Sequence, residues 1–89
     1  MQRPGKISRH KKFTKAYKEL STTKREKVDE ALVLFASDPH RRKLNLHELE
    51  PKGCGIWSIN AGGDLRCLFV VQADLVIFIA LGTHSQLYG

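Results

Sequence analysis

Cysteine is nearly absent from this sequence, and the two present, Cys54 and Cys67, show no metal-motif spacing. That excludes a disulfide-dense secreted scaffold and a cysteine-ligated metal site. One bridge between the two stays open, although nothing else in the chain points to an oxidising compartment. Long apolar runs are missing too. The longest, Leu75 to Leu81, is far below the roughly 20 residues a spanning helix needs. The opening "MQRPGKISRHKKF" is basic but has no apolar segment of the signal-peptide kind. No internal repeat or low-complexity linker interrupts the 89 residues. They are read as one domain, residues 1–89, reduced and cytoplasmic, with no membrane association, no metal and no cofactor. So short a chain buries only about 60–65% of the surface its unfolded form exposes.

Acidic charge is scarce where basic charge gathers. Residues 1–43 carry 13 Lys/Arg against 5 Asp/Glu, a net of +8, while residues 44–89 carry 2 against 4, a net of −2; the whole is +6. A basic half with pI ≈ 9.6 suits a phosphate-rich partner, because each neutralised phosphate releases counterions. It also suits a well-solvated helical surface or one masked by an acidic protein. The cations placed for contact with such a partner are Lys11, Lys12 and Lys15, then Arg41, Arg42, Lys43 and Lys52.

The first half reads as two helices. Phe13, Ala16, Tyr17 and Leu20 recur at i, i+3, i+4, i+7 with lysines on the other faces. "STT" interrupts, and Thr23 with Glu26 has capping-box spacing for a second helix. Its Val28, Ala31, Leu32 and Phe35 repeat the stripe, and Asp38-Pro39 stops it. The second half reads as strands. "GIWSIN", "LRCLFVVQ" and "LVIFIAL" are joined by "AGG" and "AD", which predicts a three-stranded antiparallel meander. "GKISRH" is a weaker candidate for a fourth, edge strand. The architecture expected is α+β, an N-terminal helical hairpin packed on the meander. Between the halves, "PHRRKLNLHELEPKGCG" reads as a polar connection carrying Leu44, Leu46 and Leu49, of a length often functional in small domains.

Strand period puts Leu65, Cys67, Phe69 and Val71 on one face of "LRCLFVVQ" and Arg66, Leu68, Val70 and Gln72 on the other. Arg66 fits an edge salt bridge and a phosphate clamp equally well. His10 and His40 sit among cations as surface residues. His47 lies in "LNLHELE" and His84 in "GTHSQLY". With Thr83 capping a single turn, His84 and Tyr88 become i, i+4 neighbours. Histidine titrates near neutrality, so two of them can serve as base and acid. The plainer reading makes His84 a turn residue and packs the Tyr88 ring on the core. No two of the four histidines have zinc-ligand spacing.

Taken together, "LNLHEL", "WSI", "GGDLRCLF" and "GTHSQLYG" resemble the RelE/ParE superfamily of small toxins. Within it the chain looks most like the YafQ-type ribosome-dependent mRNA endonucleases of bacterial toxin–antitoxin pairs. The likeness covers nearly the whole chain. It implies a RelE-like fold and roles by position. His47 matches a catalytic histidine before the sheet, and Asp64 an acidic active-site residue that orients a histidine. His84 matches the principal catalytic histidine, and Tyr88 an aromatic that contacts the substrate or helps proton transfer. Arg66 corresponds better to the strand arginine of RelE-type members, which holds the scissile phosphate. The chain also departs from the pattern. Asn60 stands where YafQ-like members have a second histidine, and Ala80 where they have a strand arginine. Leu65 replaces an aromatic, and Ser58 and Asn60 replace the RelE-type lysines.

The resemblance implies RNA cleavage by attack of a ribose 2′-OH on the adjacent phosphorus, with histidine acid–base catalysis and no cleavage of DNA. It implies the ribosome and mRNA as partners. It further implies a small antitoxin with an acidic toxin-binding segment and a DNA-binding part. Two other readings remain at this point: a ParE-like toxin that inhibits a topoisomerase without nuclease chemistry, and a non-enzymatic RNA- or ribosome-binding module.

Overall fold

Across the described residues, 1–88 of the computed structural model, eight regular elements and one 3-10 turn follow in order. They are β1 (Lys6–Arg9), α1 (Lys11–Lys18), α2 (Thr22–Ser37), the 3-10 turn (Arg42–Leu44), β2 (His47–Glu48), β3 (Trp57–Asn60), β4 (Leu65–Gln72), β5 (Leu75–Thr83) and α3 (His84–Tyr88). Gly89, which closes the "GTHSQLYG" run, lies outside the described residues. The strands make one sheet in the order β1-β5-β4-β3-β2. β3, β4 and β5 form the expected antiparallel meander.

Two features differ from the sequence reading. β1 does join the sheet, but parallel to β5, with Lys6 opposite Leu75 and Arg9 opposite Phe78, so the sheet is mixed. The helices intervene between β1 and the meander, so no tight turn imposes an antiparallel partner. The polar connection is also more ordered than its composition suggests. Leu44 is 1% exposed, and His47–Glu48 pair with Ser58–Trp57 as a fifth, edge strand. Two polar residues offer no alternation from which to read a strand.

The helices take their ends from local caps. The His10 Nδ1 accepts from the Lys12 N–H at 3.1 Å, opening α1, and Lys15 and Lys18 in its last turn complement the helix dipole. α2 opens at Ser21, whose Oγ accepts from the Lys24 N–H at 3.2 Å. The Thr23/Glu26 capping box is therefore not formed: Ser21 is already extended and stops the preceding turn, which leaves Thr23 inside the helix. At its other end α2 stops at Asp38, before Pro39, as expected.

Four phenylalanines, one from each layer element, hold helices to sheet. Phe13 of α1, Phe35 of α2, Phe69 of β4 and Phe78 of β5 are all 0% exposed. Their ring centroids lie 5.0–5.6 Å apart in tilted or edge contacts. Burying each ring contributes about 2–3 kcal/mol, and each favourable ring pair about 0.5–1.5 kcal/mol more. Val71, on this face by period, is 43% exposed next to the β4–β5 turn, so the core face of β4 ends at Phe69.

A bulge in β5 decides what the opposite face carries. Leu68 pairs with Ala80 but Phe69 pairs with Phe78, so Ile79 is an extra residue. Core positions on β5 run Val76, Phe78, Leu81 instead of strictly alternating. Beyond the bulge, Ala80 and Gly82 face away from the helices, opposite Leu68 and Arg66. Cys67 is buried in the core and Cys54 exposed, both as free thiols, so the bridge left open above is absent. Burial pushes the Cys67 thiol up to about 12.

Candidate active site

On the sheet face turned away from the helices, cross-strand pairing sets His47 beside Ser58, Asn60 beside Arg66, and Arg66 beside Gly82. The first turn after β5 then folds back toward this row. The Thr83 Oγ1 accepts from the Gln86 N–H at 3.3 Å, and the Gln86 Oε1 accepts from the Thr83 N–H at 2.8 Å. This reciprocal capping box builds α3 from only five residues. A Cβ at Gly82 would lie 2.9 Å from Gln86 Oε1 and 3.3 Å from its Cβ, so a side chain there would push the Gln86 arm of the box aside.

α3 presents His84 and Tyr88 on one side, their ring centroids 4.6 Å apart at 69°, an edge contact. Both side chains are exposed, Tyr88 at 41%, so Tyr88 is not a core ring. These two, with His47 and Arg66, line a groove of about 480 Å³ whose other wall is the β2–β3 hairpin, including Lys52. Four residues up to 41 positions apart in sequence thus share one cavity.

His47 is held by the backbone. Its Nδ1 lies 2.8 Å from the carbonyl of Asn45, a residue in the left-handed region at φ 46°. A carbonyl only accepts, so Nδ1 carries the proton and the neutral ring leaves its Nε2 lone pair free. Arg66 is anchored at one nitrogen, with Nη1 donating to the carbonyls of Gly63 at 3.2 Å and Leu65 at 3.0 Å. Its Nη2 is 4.0 Å from Asp64 Oδ1, and the two side chains are 22% and 59% exposed. A pair this long and this wet contributes little. The guanidinium therefore keeps its charge at the groove.

The remaining expected site residues are distributed differently. Asp64 is exposed on the β3–β4 turn and meets the site through Arg66; the group that orients His47 is the Asn45 carbonyl. Lys43 lines a separate cavity of about 280 Å³ with Lys27, Glu30 and Asn60. Lys11, Lys12 and Lys15 are exposed on α1, which packs its Phe13 on the other face of the sheet. Arg41 and Arg42 are exposed in the connection before β2. Of the seven cations expected to bind RNA, Lys52 alone lines the groove. Ser58 Oγ and Asn60 Oδ1 are buried without a hydrogen-bond partner among the described residues.

Sequence reasoning missed Asn45, Glu48 and Gln86. T-x-x-Q at 83–86 was a visible capping signal. Glu48 lines the groove wall, and its Oε2 accepts from the Gly55 N–H at 3.0 Å. The N–H groups of Gly55, then Gly53, hold its carboxyl below the usual carboxylate range. Among the described residues no three His, Cys, Asp or Glu side chains converge as metal ligands, and no helix is long and apolar enough to cross a membrane.

No family model and no curated protein matches this sequence. Solved structures do. YafQ from E. coli strain BL21(DE3) superposes with a TM-score of 0.73 at 20% identity, covering 93% of this chain and 97% of that one. The RelB–RelE antitoxin–toxin complex from Methanococcus jannaschii contains a chain that matches at 0.71 and 18%, covering 91% and 94%. YoeB from Staphylococcus aureus, solved as a dimer, matches at 0.68 and 16%, covering 93% and 99%. The chain has the RelE-like toxin fold.

Proposed function

We propose that this chain is the toxin of a toxin–antitoxin pair and acts as a ribosome-dependent endoribonuclease on mRNA. The observation that carries the reading is the meeting of His47, Arg66, His84 and Tyr88 in one groove. The fold shared with YafQ, and with a chain of an antitoxin–toxin complex, supports it.

In this reading the His47 Nε2, left free by the Nδ1 contact to Asn45, takes the proton from a ribose 2′-OH. The oxygen attacks the adjacent phosphorus in line, a 2′,3′-cyclic phosphate forms, and His84 protonates the departing 5′-oxygen. Arg66 stabilises the charge that develops on the non-bridging oxygens. Tyr88 buttresses His84 and stacks on a nucleotide. Asp64, on the turn beside Arg66, stays outside the proton transfers. Each positioned histidine is worth about 10²–10⁴-fold, and the guanidinium about 10²–10³-fold by analogy with oxyanion donors. The exposed cations Lys11, Lys12, Lys15, Arg41, Arg42 and Lys43 serve docking on ribosomal RNA, outside the groove. The partner that restrains the toxin is a small protein with an acidic segment complementary to the +8 half.

The test is induction of wild type and His84→Ala in growing cells, with mapping of mRNA 5′ ends. New ends inside reading frames, lost in His84→Ala, are expected. Growth arrest that survives the substitution with mRNA intact would move the reading to a toxin without nuclease chemistry.

A further inference from the structure

The tip of the β2–β3 hairpin, residues 50–55, supplies part of the groove wall through Glu50 and Lys52, yet every residue of it is exposed. Apolar burial therefore does not hold it in place. Polar ties do, and they converge on one residue. Glu48 accepts at Oε2 from the Gly55 N–H at 3.0 Å, and its backbone carbonyl accepts from Lys52 Nζ at 3.2 Å. The other ties from tip to stem among the described residues are thiol contacts, Cys54 Sγ to the Leu49 carbonyl at 3.5 Å and to the Ile56 carbonyl at 3.9 Å, both weak. Gly53 and Gly55 sit at φ 90° and 82°, conformations open to glycine at little cost. They turn their amides inward to the carboxylate. Lys52 is the one cation of the tip.

We propose that Glu48 is a positioning residue: its carboxylate clasps the 50–55 tip and so fixes Lys52 at the groove wall, where the tip sets how RNA enters toward His47 and Arg66. The RNA part of this proposal rests on the nuclease reading above; the clasp does not. A hydrogen bond to a charged acceptor is worth more than a neutral one, so the amide of Glu48→Gln should hold the tip less well and the methyl of Glu48→Ala not at all.

The full chain is compared as wild type, Glu48→Gln, Glu48→Ala, Lys52→Ala and the Glu48→Ala/Lys52→Ala double variant. Amide hydrogen exchange at Gly55 reports the clasp, and cleavage of mRNA on ribosomes reports KM and kcat separately. In Glu48→Ala, Gly55 exchange should quicken about tenfold. KM should rise by a similar factor with kcat within about twofold. Glu48→Gln should fall between. The double variant should be no worse than Lys52→Ala, because both changes act through one ammonium. Unchanged Gly55 exchange in Glu48→Ala overturns the clasp. Faster exchange with unchanged KM, or a fall in kcat with KM unmoved, overturns the positioning role. Wild-type protein that cuts no RNA overturns the nuclease reading and the RNA half of this proposal, and the exchange result then decides the clasp by itself.

Discussion

At the scale of single residues, the site depends on which atoms are already committed. Asn45 commits the His47 Nδ1 and leaves Nε2 free, while Gly63 and Leu65 commit one nitrogen of Arg66. Replacing His47 by Ala is expected to lower cleavage by about 10²–10⁴-fold with no change in melting temperature, since the ring is outside the core. His47→Gln should do the same, because an amide offers no base. The two thiols give an independent check on burial. Iodoacetamide should label Cys54 rapidly in the native protein and leave Cys67 untouched until unfolding, read as one added mass and then two. The sequence made His47, Arg66, His84 and Tyr88 legible as individual candidates. It did not reveal the Asn45 carbonyl as the orienting group, because a backbone carbonyl leaves no trace in residue type. The left-handed turn that aims it also depends on context.

At the scale of elements, α3 and the β2–β3 hairpin carry the groove and neither has a core of its own. α3 exists through the Thr83–Gln86 box and the close approach at Gly82. Gly82→Ala should push Gln86 away, loosen the turn and reduce cleavage at least about tenfold. The melting temperature should move far less than for a core change, as checked by circular dichroism. The hairpin tip carries a pH signature. Amide donors lower the folded Glu48 carboxyl. Its stabilisation is therefore complete above the ordinary carboxylate value, about 4.3, and is lost as pH falls through the lower folded value. Gly55 amide protection should accordingly drop on acidification, and Glu48→Gln should remove that dependence. The helices were readable from their apolar stripes, and the three meander strands from apolar runs bounded by tight turns. β2 was not, being two polar residues whose pairing is decided by β3. Nor was the parallel sense of β1, which depends on where the whole helical layer sends the chain.

For the molecule as a whole, one sheet separates two surfaces. The helical face holds the four-phenylalanine cluster and displays the α1 lysines; the other face holds the groove. Phe78→Ala should cost about 3–5 kcal/mol, a large part of the stability of so small a domain, and urea unfolding measures it. This division also explains why the expected cations did not gather in one place. Linear charge along residues 1–43 does not say which side of a sheet each lysine will occupy. The bulge at Ile79 was equally hidden, because "LVIFIAL" offers apolar residues to either phase. The proposed reaction is cleavage of RNA in the groove through a 2′-OH. Purified protein, ribosomes and an mRNA test it most directly, with one scissile nucleotide replaced by its 2′-deoxy counterpart. The prediction is a cut with a 2′,3′-cyclic phosphate end at the natural nucleotide and none at the substituted one. Undiminished cleavage at the 2′-deoxy position would rule out attack by the 2′-OH.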